Sequence, residues 1–194
     1  IASLFFVFLI AEFVVFRYVV PSGERPGTVY ENGILKLLPN QRGVYRLKNE
    51  IAAQFNVNEN GWNSRHNFYS LERSDAKIRV AIIGDSFVEA LQVDYRSSLA
   101  EQLEDMLEGS EVYRFGLSGN PLSQYLNIFR REVVRYRPDI VVIVLSHNDF
   151  YNSYGAHSGR FISFLSIGIE SGKVAGEVPP KPYTAAWLEN LCKS

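Results

Sequence analysis

The chain has 194 residues, 46% of them hydrophobic and 21% charged, which suits one domain that buries a real core plus an appendage. A net charge of −1 favours neither nucleic acid nor an acidic surface as a partner. The single cysteine, Cys192, excludes an internal disulfide and a cysteine-rich metal site.

Residues 1 to 20, IASLFFVFLIAEFVVFRYVV, are almost all apolar. At about 1.5 Å per residue they reach across a hydrocarbon core of about 30 Å, so the expectation is one transmembrane helix. Arg17 and Tyr18 suit its interfacial end. Glu12 lies deeper, where a lone carboxylate is costly, and is expected to face a transmembrane helix of a partner subunit. The reading is a single-pass membrane protein whose main domain stands outside the cytoplasm, in a periplasm. The chain opens on Ile1 and stops at AAWLENLCKS, so a longer protein is expected at both ends.

Residues 21 to 77 are broken by Pro21, Gly23, Pro26, Gly27, Gly33, Pro39, Gly43 and Gly61. They read as an irregular linker with a small hairpin around VYRL and AQFNV, followed by a turn at NENG.

Residues 78 to 194 become regular. IRVAIIG (78 to 84) is a continuous apolar run, the pattern of a parallel strand covered on both faces. A helix is expected from Ser98 to Glu108, with Ser98 and Glu101 as a capping box, a stripe of Leu99, Leu103 and Leu107, and Gly109 at its end. VYRF (112 to 115) is a second strand. A second helix runs from Leu122 to Tyr136, carrying Leu122, Leu126, Phe129, Val133 and Tyr136 on one side, and Pro138 stops it. Arg130, Arg131, Arg135 and Arg137 cluster there with Glu132, as a solvated helix face. DIVVIVL (139 to 145) is expected as a third buried strand, FISFLSIGI as a further strand or part of a lid, and EVPPKPY as a Pro-rich stretch. Alternating strands and helices predict a parallel sheet whose site lies beyond the carboxyl ends of its strands.

Those three ends carry Gly84-Asp85-Ser86, then GLSGN with Gly116, Gly119 and Asn120, then Ser146-His147-Asn148-Asp149. Together, from about residue 78 to 150, they resemble the SGNH, or GDSL, hydrolase family. The resemblance implies an α/β fold with a parallel, flavodoxin-like three-layer sheet, here preceded by the transmembrane helix. It implies Ser86 as nucleophile, and Gly119 and Asn148 with the Ser86 N–H as the oxyanion hole. Asp85 and Asp149 take supporting roles, Asp85 by bonding backbone in the turn and Asp149 by capping a helix. It calls for no cofactor. The chemistry of these residue types agrees, because donors fixed where an ester oxygen gains charge stabilise the transition state, by about 2.7–4 kcal/mol for a single donor in a measured case. A structural role competes at each point. Ser86 with Glu89 spells a capping box, and Gly119-Asn120-Pro121 spells a turn.

The family's D-x-x-H block is missing. His66, His147 and His157 each fall outside such a motif, and serine at 146 replaces the family's usual glycine. Either the domain is C-terminally incomplete or it has lost its acid and base. No phosphate-loop or dinucleotide motif follows the first strand, and a divalent metal on Asp85 and Asp149 is a minor alternative with no metal site expected. Two functions stay open. One is a membrane-anchored serine esterase or O-acyltransferase acting on acyl, chiefly acetyl, esters of an extracytoplasmic glycan or lipid. The other is a non-catalytic accessory subunit of a membrane complex.

Overall fold

The computed structural model describes residues 2–13, 23–47, 50–73, 78–154 and 162–183. Pro21, Arg17, Tyr18, His157 and Cys192 lie outside these ranges.

The architecture is mixed α/β around a three-stranded parallel sheet. Strand β5 (Ile78–Gly84) lies between β6 (Ser110–Gly116) and β7 (Ile140–Ile143), in the order β6-β5-β7. Because side chains alternate along a strand, β5 feeds two cores. Ala81 and Ile83 meet Tyr113, Phe115, Tyr125 and Ile128, while Val80 and Ile82 meet Val88, Ala100 and Val112. Helix α3 (Leu99–Met106) covers the second face through Ala100 and Leu103, and α4 (Leu122–Arg131) covers the first through Tyr125 and Ile128. Each large apolar side chain buried this way stabilises the fold by about 1.5–3 kcal/mol.

Three local expectations shift. The third strand is exposed rather than buried, because β7 is an edge strand of the described sheet. Leu99 faces solvent, 55% exposed, and Ala100 takes its place in the core. The long second helix is two pieces: α4 stops at Glu132, and Val133–Tyr136 continues as a 3-10 turn that Arg137 ends at φ 48°. The buried Glu132 carboxylate accepts from the Tyr136 hydroxyl at 3.0 Å, and Pro138 bars a further helical turn.

Residues before the sheet form two hairpins rather than an irregular linker with one. Strands β1 (Thr28–Glu31) and β2 (Ile34–Leu37) are joined by Asn32-Gly33 at φ 52° and 76°, the left-handed pair that a two-residue hairpin turn demands. Strands β3 (Arg42–Leu47) and β4 (Ile51–Asn56) pair in register from Arg42↔Asn56 to Leu47↔Ile51. Ile34, Trp62 and Tyr69 enter the same core as Ile83 and Phe115. A third hairpin, β8 (Ser166–Glu170) with β9 (Lys173–Val178), is held to α4 by Ser123 Oγ donating to Leu165 O at 2.6 Å and by the Arg130–Glu177 ion pair.

The transmembrane expectation is corrected. The apolar N-terminal helix, α1, runs from Ala2 to Ile10, and a π turn covers 11 to 13. Nine residues rise about 14 Å, half a bilayer core of about 30 Å. Among the described residues no helix is long and apolar enough to cross a membrane. The single-pass membrane anchor is therefore overturned, the extracytoplasmic placement loses the span it rested on, and the fold class is mixed α/β without that helix. The assembly role expected of Glu12 rested on the same span.

Candidate active site

The carboxyl ends of β5, β6 and β7 come out level: Gly84 pairs with Gly116, and Val144 N donates to Ile83 O at 2.9 Å. Directly after Gly84 the chain turns into α2 (Ser86–Glu89), which lies across the strand ends. Glycine at 116 permits that approach, since a Cβ there would stand 2.3 Å from Glu89 N and 2.5 Å from Val88 C. Ser86 is thereby held at the first position of a helical turn, half-buried, and its Oγ has no hydrogen-bond partner among the described residues.

Ser86 does not form the capping box with Glu89. The cap is Asp85, whose Oδ1 accepts from Phe87 N at 3.0 Å. Glu89 turns instead toward the second strand end, where its Oε2 accepts from Ser118 N at 3.1 Å and from Ser118 Oγ. A buried carboxylate thus ties the residue before Gly119 to the helix that carries Ser86. Gly119 sits at φ 84°, a left-handed turn that glycine adopts without a Cβ penalty. Asn120, fully buried, donates from Nδ2 to Gly84 O at 3.4 Å and so links the second end back to the first.

The third end begins with Ser146, which caps α5 (His147–Asn152) in a reciprocal box with Asp149. Asp149 is buried and accepts from Ser146 N at 2.7 Å and from the Tyr125 hydroxyl at 2.9 Å. Burial and the Asp149 carboxylate together push the Tyr125 phenol up. The Ser146 hydroxyl has three acceptors in reach: Asn148 Oδ1 at 2.8 Å, Asp149 Oδ1 at 3.2 Å and Asp85 Oδ2 at 3.4 Å. Its bond to Asn148 Oδ1 leaves the Asn148 NH₂ as the free end of that amide. Burial raises the Asp85 carboxyl, and the Asp149 charge adds to the rise against the Phe87 N–H and Ser146 hydroxyl.

The structure therefore brings Asp85, Ser146, Asn148 and Asp149 into one network, with Ser86 and Gly119 held beside it by α2 and Glu89. Asp85 and Asp149 each spend oxygens on backbone caps, and among the described residues no group of three or more His, Cys, Asp or Glu is placed to share a metal ion. Glu89, Asn120 and Tyr125 were not singled out in these roles by the sequence. Only Asn120 carried a local signal, its place after Gly119.

None of the described histidines bonds to Ser86. His66 Nε2 meets Glu104 Oε2 at 2.8 Å, and that same oxygen accepts from Val112 N at 2.7 Å. Val112 precedes Gly116 by four residues, about 13 Å along the strand, so His66 lies toward the opposite end of the sheet. His147 is exposed at the start of α5. An apolar recess of about 570 Å³, lined by Ile83, Tyr125, Val141, Ile143, Phe150 and Ile167, runs along β7, whose outer edge is unpaired among the described strands. No protein-family model matches the chain, and no curated protein matches it.

Proposed function

We propose that the chain belongs with the SGNH-type serine ester hydrolases and O-acyltransferases and acts on acyl, chiefly acetyl, esters of a glycan or lipid. The observation that carries this reading is the free, half-buried Ser86 hydroxyl at the first strand end, with the other two strand ends bonded to its own turn through Asp85–Ser146 and Asn120–Gly84. In the reaction, Ser86 Oγ attacks the ester carbonyl carbon while a base takes its proton. The carbonyl oxygen gains the negative charge, facing the Ser86 and Gly119 N–H groups and the Asn148 NH₂. Collapse expels the alcohol, which receives the proton, and leaves the acyl group on Ser86 for water or a second alcohol to take. The family's D-x-x-H is not in these 194 residues, and the reading assigns acid and base to such a block elsewhere in the protein.

One observation favours a second reading, a non-catalytic subunit that keeps the fold: no described histidine bonds to Ser86. A fluorophosphonate probe separates the two. Labelling of the full-length wild type and none of its Ser86→Ala variant supports the hydrolase. Equal labelling of both ends the nucleophile assignment, and no labelling of either supports the subunit.

A further inference from the structure

Away from the strand ends, the β3–β4 hairpin and the 3-10 turn Tyr95–Ser97 enclose two adjoining cavities of about 270 and 580 Å³ that share Arg42, Asn56 and Asn67. Together they have the size of a small-molecule site. Their walls are polar to an unusual degree for such a site. Arg42 is aimed by its neighbours, Nε donating to Asn56 Oδ1 at 2.7 Å and Nη2 to Asn67 Oδ1 at 3.4 Å. Arg96 stands over the Tyr95 ring at 5.1 Å. Among the described residues neither guanidinium forms an ion pair, whereas the third arginine of the groove, Arg65, is neutralised by Glu104 and Asp105.

The wall of the smaller cavity also carries a buried amide. Asn58 lines the smaller cavity, is 2% exposed, and its Oδ1 accepts from both Asn60 N and Trp62 N at 3.0 Å. Those two N–H groups fix which way the amide faces, because the reversed amide would set its NH₂ against two donors. The Nδ2 that remains has no hydrogen-bond partner among the described residues. A buried donor without an acceptor is rare, and here it belongs to a residue of the cavity wall.

We propose that this groove binds an acidic sugar. The guanidiniums of Arg42 and Arg96 take its carboxylate or phosphate, since a planar fork of donors matches either group. Gln54 and the carboxylate of Glu59 accept from hydroxyls, and the Tyr95 ring offers an apolar face. Glu59 disfavours a bare anion and leaves the mixed donors and acceptors that hydroxyls require. None of these residues belongs to the Ser86 site, so occupancy of the groove is independent of the hydrolase reading.

The test is isothermal titration calorimetry of the whole chain with trigalacturonate, glucose 6-phosphate, maltotriose and inorganic phosphate. One of the two acidic sugars should bind saturably, at least tenfold more tightly than maltotriose and than inorganic phosphate, and the better one identifies the acid group. Arg42→Gln should weaken binding at least tenfold. Should it fail to fold, Arg96→Gln on the exposed turn must show the same loss with an unchanged circular dichroism spectrum. The proposal is overturned if neither acidic sugar binds saturably, if maltotriose or inorganic phosphate binds equally well, or if Arg96→Gln binds as the wild type does.

Discussion

Replacing Gly116 by alanine tests how the sheet positions Ser86. The residue is not at positive φ, so the new methyl group meets no backbone strain of its own, and the whole effect is steric. Its Cβ would stand 2.3 Å from Glu89 N and 2.5 Å from Val88 C, both backbone atoms of α2. Carbon atoms pack best at about 3.5–4.0 Å, so α2 must retreat by about 1 Å or more. Overpacking of this kind costs about 1–3 kcal/mol, or a fall in Tm of about 2–4 °C for each kcal/mol in a chain of this length. Gly84→Ala should cost less, because its nearest neighbour at 2.4 Å is the Val88 Cγ2 methyl rather than backbone. Gly27→Ala is the control: its Cβ meets nothing nearer than 3.6 Å, so stability should hold or rise slightly. Calorimetric melting of the three variants ranks them, and fluorophosphonate labelling of Gly116→Ala reports whether Ser86 has moved with α2. A Gly116→Ala protein that melts with Gly27→Ala would refute the claim that α2 rests on the strand ends.

Three other outcomes follow from the same coordinates. Asn148→Ala should lower kcat on p-nitrophenyl acetate about 10²–10³-fold with little change in KM, and turnover near the wild-type rate would remove Asn148 from the oxyanion hole. Tyr125→Phe withdraws the hydroxyl that donates to the buried Asp149 Oδ2, so urea titration should show a loss of about 1–3 kcal/mol, and an unchanged midpoint would count against that bond. Burial works to raise the Glu104 carboxyl, but the His66 ring, the Val112 N–H and Arg65 together bring it down to about 2 from its ordinary 4.5. A folded value below the unfolded one means stabilisation that is complete above about pH 4.5 and lost as pH falls toward 2. Glu104→Gln should therefore flatten the decline of stability across that window, and an unchanged acid limb would contradict the assignment.

Much of the fold is written locally. The run from Val80 to Ile83 is apolar on both alternating faces, which suits a strand with cover on both sides, and β5 is that strand. The turn at Asn32-Gly33 was legible too, since those two residues tolerate positive φ, although Gly33 drew notice only as a break in the pattern. The positions of the three motifs followed from the strands, since each begins where an apolar run stops. Local pattern could not decide which partner a side chain chooses when two are within reach. Ser86 and Glu89 have capping-box spacing, yet the packing of α2 against Gly116 brings Glu89 to Ser118 and leaves the cap to Asp85. Leu99 has the spacing of a core residue, yet the angle of α3 on the sheet buries Ala100 instead. The N-terminal run has the hydropathy of a membrane span, yet its described residues form a nine-residue α-helix and a π turn, too short to cross, because composition sets how apolar a segment is but not which helix it forms. The cavity beside Asn58 is more remote still. It adjoins a second cavity walled by β3, β4 and the turn at 95–97, and no stretch of sequence brings Arg42, Asn67 and Arg96 together; only the folded chain does.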